Sequence, residues 1–466
     1  MAAQLAVQKG MQKAGTGSGQ PPDDRRALRR EILWLAVPAA AEQFLASLTQ
    51  MVDTALVGPL GPVAVAAVGL STQPLWFLMS PFIGIGAGLG ALVARAVGAG
   101  DRREAADAVR QGILLGSALA LAAAAGLWAG APGLLGWLGA EPDVIPVAVA
   151  YLRALVPGLA ALFLSLVLGS AFRAAGDTRS PFRISLVANG LNLILAWAWI
   201  YGRLGLPAWG VVGAGWATTV ARLAALGLML AVLFRGRGPL ALPLRGVFRA
   251  NPGLILRILR VGVPAAVNRL LGSGAYLVYL RLVAGLGTVT MAAHYTAVVA
   301  EELSWIVAGG ISVAVAALVG QALGARQPHR ARLAIAEAVY LGGGLMAAAG
   351  LFYLAVPEWY LRIFTRDPAV LALAATALRV TSAGQIPMVL SEVLQGALAG
   401  AGDTRVLVWI AAFGGWVVRL GAAYYFVTVL GWGLAGCWAG AVLDWVARLV
   451  LMLIRVRSGR WQEVRV

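Results

Sequence analysis

Apolar stretches of about twenty residues or more alternate with short polar breaks along most of this 466-residue chain. Each is long enough, at 1.5 Å rise per residue, to cross a hydrocarbon core of roughly 30 Å. The pattern predicts helices at 32–57, 64–97, 106–130, 144–172, 181–201 and 208–234, then at 256–284, 290–323, 332–356, 369–398, 405–428 and 432–455. The expected fold class is an all-α polytopic membrane protein of twelve transmembrane helices.

The second six helices repeat the first. Ala175-Gly176-Asp177-Thr178-Arg179 returns as Ala401-Gly402-Asp403-Thr404-Arg405, 226 residues later (403 − 177). The same offset carries Val37-Pro38-Ala39-Ala40 onto Val263-Pro264-Ala265-Ala266, Gly98-Ala99 onto Gly324-Ala325, and Ala221-Arg222-Leu223 onto Ala447-Arg448-Leu449. Six crossings return the chain to its starting side, so both copies insert in one sense. They are expected as two six-helix lobes related by a pseudo-two-fold axis along the membrane normal. A duplicated apolar chain of this kind is the signature of a transporter with its site between or inside the halves. The domain plan is a disordered basic cytosolic tail at 1–30, an N-lobe at 31–234, a cytosolic linker at 235–255, a C-lobe at 256–456 and a cytosolic C-terminal tail at 457–466. Pro239, Pro243 and Pro252 are expected to interrupt any helix in the linker.

Composition narrows the class further. The chain is 60% hydrophobic and 12% charged, too little polar surface for a soluble protein of this length. Its net charge of +17 comes mostly from arginines set between the spans rather than clustered for nucleic acid. One side gathers Arg102, Arg103, Arg110, Arg173, Arg179, Arg183, Arg235, Arg237, Arg245, Arg249, Arg326, Arg330, Arg332 and Arg455; the other holds little beyond Arg203, Arg362 and Arg366. The basic side is read as cytosolic, which puts both termini in the cytosol of a multi-pass protein of the plasma (inner) membrane. Residues 1–24 lack the apolar core of a signal peptide. Cys437 stands alone and His294 and His329 are the only histidines, so neither an internal disulfide nor a His-rich metal site is available. Gly84-Ile85-Gly86 lies inside a span with no strand before it and reads as close helix packing, not nucleotide binding. No nucleophile–base pair or metal cluster points to an enzyme, and no cofactor is expected.

Acidic residues inside spans are the informative ones, because a charge there costs about 2.5–3.5 kcal/mol unless it faces a cavity or a partner. Glu42, Gln50 and Asp53 lie in the first span. Eleven helical residues return to within about 20° of the starting direction, so Glu42 and Asp53 share a face, with Gln50 beside them. That stripe fits an aqueous cavity, and Asp53 suits a group that loads and releases a proton. Asn189 and Asn192 share a face of the fifth span, positioned to bond a substrate, Asp53 or a neighbouring helix. Glu301 and Glu302 in the eighth span and Glu392 in the tenth either line the cavity or neutralise an arginine such as Arg269, Arg281 or Arg419. Asp444 and Arg448, at i, i+4, are expected to pair. Pro38, Pro74, Pro81, Pro157, Pro264 and Pro387 permit kinks. The Ala-Gly-Asp-Thr-Arg turns are read as structural, with Gly ending one helix and Asp or Thr capping the next.

Val52-Asp53-Thr54, Val57-Gly58, Leu60-Gly61 and Ala66-Ala67-Val68-Gly69 resemble the first-helix signature of the multidrug and toxic compound extrusion (MATE) family. Ala293-His294, Leu318-Val319-Gly320-Gln321 and Gln395-Gly396 leading into Ala401-Gly402-Asp403-Thr404 extend the likeness over about residues 30–455. The resemblance implies two lobes around a central cleft. It implies export of organic cations or other amphipathic compounds in exchange for H⁺ or Na⁺. Asp53 matches the family's first-helix carboxylate and Asn192 a nearby fifth-helix asparagine. Departures stand at Ala196, where many members have a second aspartate, and at Gly272 and Met388, where one branch has its C-lobe acids. The likeness therefore favours the branch coupled to protons through the N-lobe, acting as a monomer in the bilayer. A lipid-linked oligosaccharide flippase of the same superfamily is the alternative, with Arg269, Arg281 and Arg419 as its basic cleft residues.

Overall fold

The computed structural model describes residues 22–137, 140–235, 240 and 249–464. The tail at 1–21 and most of the proposed linker lie outside the described residues. The first set of helices is α1 (Pro22–Val57), α2 (Pro62–Gly98), α3 (Arg102–Trp137), α4 (Val144–Ala174), α5 (Arg179–Tyr201) and α6 (Gly210–Phe234). The second is α7 (Pro252–Ala284), α8 (Thr288–Gly324), α9 (Pro328–Ala355), α10 in two halves (Pro368–Ser382 and Gln385–Gly400), α11 (Thr404–Thr428) and α12 (Gly433–Arg457). No strand occurs among the described residues. Ten of these helices are individually long and apolar enough to cross a membrane, and the two halves of α10 make an eleventh. The remaining one, α7, is diluted by Arg257, Arg260, Arg269 and Arg281.

Several expectations need correction. The tail is shorter than 1–30, because α1 already runs from Pro22. Leu28 is buried, and Arg29 donates to Glu337 of α9 while its guanidinium lies over the ring of Tyr340. These contacts hold as helix a stretch whose charges suggested a solvated flank. Pro252 does not interrupt a helix but opens α7, where its missing N–H costs nothing; Asn251 caps the end through Gly253 N and Leu254 N. The span expected at 369–398 is broken into Pro368–Ser382 and Gln385–Gly400, bent by 58°. The C-terminal segment is not a free tail as far as it is described. Its turn at Arg460–Gln462 buries Trp461, whose indole N–H donates to the Val456 carbonyl.

The duplication appears in space as reciprocal contacts. α1 packs chiefly on α8 and α5, and its repeat mate α7 on α2 and α11. A Cβ at Gly98 would lie 1.9 Å from the Gln321 carbonyl oxygen; one at Gly324 would lie 2.1 Å from that of Arg95. Gly98 and Gly324 are repeat equivalents, as are Arg95 and Gln321, so the pseudo-two-fold axis passes between these crossings. The side chains repeat the relation: Arg95 Nη2 donates to the Ala401 carbonyl and Gln321 Nε2 to that of Ala174, each at 2.8 Å. Arg95 thus reaches the first residue of the Ala-Gly-Asp-Thr-Arg turn in the opposite half, and Gln321 the residue just before the other. In these turns Gly176 and Gly402 adopt φ of +87° and +85°, which their lack of a Cβ permits. Asp177 caps α5 by accepting from Ser180 N, as expected. Asp403 instead pairs with Arg455 at 2.7 Å, and Thr404 donates to the Val261 carbonyl.

Two ion pairs complete this junction. Glu31 of α1 meets Arg330 of α9 at 3.1 Å, and Glu104 of α3 meets Arg257 of α7 at 2.8 Å. Glu31 and Arg257 are repeat equivalents, and so are Glu104 and Arg330; the same bridge is built twice with its charges exchanged. All these contacts lie at the arginine-rich end of the helices, and Ser47 Oγ to Glu302 at 2.6 Å is the farthest along α1. The lobes are therefore held together at the basic end. Pairs of this exposure contribute about 0.2–1 kcal/mol each. Neutralising both, by Glu31→Gln with Glu104→Gln, is expected to raise hydrogen exchange at 25–35 and 326–334. Reversing one bridge, Glu31→Arg with Arg330→Glu, is expected to leave exchange near wild type.

Candidate functional site

In the N-lobe, α1 presents Asp53 to α5, and Asn192 Nδ2 donates to Asp53 Oδ1 at 2.9 Å. Asn192 is buried while Asp53 is partly exposed, so the carboxylate stands between packed helix and open space. The sequence pairing of Asp53 with Asn192 is realised. Arg222 of α6 and Tyr151 of α4 complete the surroundings: the guanidinium's field acts on both the carboxyl and the phenol. Sequence reading missed these two roles. Arg222 had served only as a marker of the repeat, although an arginine in the middle of the apolar α6 is itself the signal that should have found it.

Other candidates are dispersed. Glu42 has partners of its own, pairing with Arg173 Nη1 of α4 at 3.3 Å and accepting from Ser185 Oγ of α5 at 3.4 Å. The long Arg173 side chain, expected at the basic loop, reaches back along the lobe to do this. Gln50 is exposed, and Asn189 is half-buried one turn before Asn192. Glu302 is exposed and holds Ser47 across the lobes.

The C-lobe has its own polar centre, built on different repeat positions. Glu301 is buried and accepts from Thr381 Oγ1 and Gln385 Nε2, both at 2.8 Å. Those donors flank the break in α10, so the bend turns two polar side chains onto one carboxylate. Glu392 lies in the field of Arg448 and Arg269, two arginines whose charge it offsets. Asp444 is fully buried; Arg448 Nε donates to Oδ1 at 2.6 Å, as the i, i+4 spacing predicted. Arg419 Nε stands 2.9 Å from Oδ2, out of line for a hydrogen bond. Both guanidiniums also face the Trp445 ring. A π-helical turn, Phe413–Arg419, places this second arginine, and Gly414 leaves the room: a Cβ there would lie 2.3 Å from Asp444 Oδ1. Removing the acid would strand two buried cations, so Asp444→Asn is expected to destabilise the protein by about 3–5 kcal/mol. A lower Tm in detergent, read by a thiol-independent dye, checks this.

No group of three or more His, Cys, Asp or Glu side chains among the described residues has the geometry to hold a metal ion. His294 is buried among Tyr279, Tyr295 and Trp438 in an aromatic packing role.

The MatE family model matches residues 38–198 and 264–425, two segments whose starts lie 226 residues apart (264 − 38). The chain belongs to the MatE family. It is a multi-pass transporter of the MATE type. Among its relatives, a probable multidrug resistance protein NorM of Thermotoga maritima is 30% identical over 456 residues, covering 95% of each chain. One of the same description from Pseudomonas aeruginosa is 33% identical over 422 residues, covering 88% of this chain and 85% of the relative. A solved outward-facing conformation of a multidrug resistance MATE family transporter shares the fold with a TM-score of 0.85. The identity is 23%, over 94% of this chain and 97% of that one.

Proposed function

We propose that this MATE transporter exports cationic or amphipathic small molecules in exchange for protons, by alternating access, with Asp53 as the coupling group. The observation that carries this reading is the hydrogen bond from buried Asn192 to a carboxylate on the cleft side of α1. Ionised, Asp53 accepts that bond and attracts a cation. Protonated, it loses the attraction and re-forms its hydrogen bonds, which biases α1 and the lobe around it toward a different packing. The multidrug resistance names of the relatives support the substrate class. With the basic end in the cytosol and the lobes held together there, we read a cleft open outward, the state in which an exporter releases substrate and takes up protons. We place the protein in the plasma (inner) membrane as a monomer, both termini cytosolic. Protons are favoured over Na⁺ because Gly272 and Met388 stand where one branch has C-lobe acids.

The test is reconstitution in liposomes with a fluorescent cationic dye under an imposed pH gradient, then a sodium gradient. Dye movement under the pH gradient alone supports proton antiport. Movement under sodium alone overturns it and directs attention to Glu302 and Glu392. No movement under either, with inserted protein, overturns dye export and favours a lipid-linked oligosaccharide flippase. That alternative has lost one of its basic cleft residues, since Arg419 is engaged by Asp444.

A further inference from the structure

Arg222 and Arg448 occupy equivalent positions in the two repeats, 226 residues apart (448 − 222). Their surroundings differ at one decisive place. Four residues before Arg448 stands Asp444, which holds the guanidinium by a 2.6 Å hydrogen bond inside α12 itself. Four residues before Arg222 stands Thr218, which has no charge and donates its hydroxyl to the Ala214 carbonyl. The N-lobe arginine therefore has no carboxylate on its own helix to fix it. The titratable groups whose charges act on it come from other helices, Asp53 from α1 and Tyr151 from α4, and among the described residues neither is ion-paired or hydrogen-bonded to it. The third packed neighbour, α5, gives its uncharged Asn192 to the same Asp53. Within this cluster Arg222 Nη1 and Asn192 Oδ1 are both buried with no hydrogen-bond partner. A buried donor and a buried acceptor left open beside one half-engaged carboxylate are costly, and rearrangement around that carboxylate would satisfy them.

Resting on the reading of Asp53 as the coupling group, we infer that Arg222 is a positioning residue, the internal counter-cation that Asp53 holds when ionised and releases when protonated. The C-lobe carries the same arginine in a locked form, tied to Asp444 within its own helix. The duplication thus supplied two cations, and Thr218, standing where the second repeat has Asp444, leaves one of them without an intrahelical acid. When Asp53 takes up a proton, Arg222 loses the carboxylate charge that acts on it. Its guanidinium must then turn to other acceptors, the Asn192 amide oxygen and the Tyr151 hydroxyl being the polar atoms at hand. That movement couples α6 and α4 to the protonation of a group on α1.

The prediction is specific because the C-lobe shows how to lock the arginine. Thr218→Asp should rebuild the Asp444–Arg448 arrangement one repeat earlier and draw Arg222 away from Asp53. Full-length protein in liposomes, with a cationic dye under a series of internal and external pH values, gives the transport profile. Both Thr218→Asp and Arg222→Gln are expected to move its midpoint to higher pH by about one to two units, since an opposite charge nearby favours the ionised carboxylate. Arg222→Lys, which keeps the cation, is expected to stay near the wild-type midpoint. Unchanged midpoints in both Thr218→Asp and Arg222→Gln would overturn the proposal. Infrared difference titration of the same proteins, using the carboxyl band absent from Asp53→Asn, reads Asp53 without requiring transport. A band that titrates alike in wild type and Arg222→Gln would overturn the proposal even for a variant that no longer moves dye. If Asp53→Asn transports normally while the band still shifts in Arg222→Gln, the pairing stands and the coupling assignment fails.

Discussion

Asp53→Asn is expected to reduce pH-gradient-driven dye transport to the level of empty liposomes, a loss of at least about tenfold, with little change in Tm. The substitution keeps size and shape, and the amide oxygen can still accept from Asn192 Nδ2, so the 2.9 Å link between α1 and α5 survives. What disappears is the negative charge and the capacity to bind a proton. A tenfold rate loss corresponds to about 1.4 kcal/mol, small against the value of a charged partner in a partly buried site, so the measured loss should exceed it. Glu42→Gln is the informative comparison. Its carboxylate is engaged with Arg173 and Ser185, so its loss should lower stability while leaving the pH profile of transport in place. Wild-type transport in Asp53→Asn would move the coupling role elsewhere, first to the exposed Glu302.

The second large effect is expected at the crossing of α2 and α8. Gly98→Val combined with Gly324→Val places side-chain carbon within 1.9 and 2.1 Å of opposing backbone carbonyl oxygens. No rotamer relieves a contact made by Cβ itself, so the helices must separate. Overpacking costs about 1–3 kcal/mol per site; two sites on the axis should disfavour the closed basic end by roughly a hundredfold or more. Cysteines introduced at Glu31 and Arg330, which are ion-paired at 3.1 Å, report it in a Cys437→Ala background. A short thiol cross-linker should join them efficiently in the native sequence and fail in the double valine variant. If cross-linking persists and transport is normal, these glycines are not the point on which the lobes close. Because the reciprocal contacts exist only where the lobes meet, the variant should populate the opposite opening of the cleft rather than unfold.

Some of this site was legible beforehand and some was not. Asp53 stood out because an acid in an apolar span needs a reason, and Asn192 because its helical face was readable from spacing. Asp444 and Arg448 were legible for the same local reason, four residues being one helical turn. Arg419 as the third member was not. It reaches Asp444 through a π-helical turn that no spacing rule anticipates and a Gly414 whose value lies only in the side chain it admits. The partners of Glu42 were not legible, because sharing a face with Asp53 along one helix says nothing of what faces each of them. Arg173 answers Glu42, and Asn192 answers Asp53.

By itself the sequence determined the apolar spans, the basic side, the 226-residue duplication and the two residues at the centre of the N-lobe. These are properties written along one dimension, in composition, period and repetition, and hydrophobic burial enforces them wherever the chain goes. Only the tertiary structure decided which buried cation meets which acid, where α10 breaks, and that the two lobes close through glycines related by the repeat. Those outcomes depend on how each helix is rotated against its neighbours. A buried charge is stabilised by partners at hydrogen-bonding distance, which may be hundreds of residues away in the chain. So the repeat preserves the arginine at 222 and 448, while its role in each lobe is set by the carboxylate that folding brings within reach.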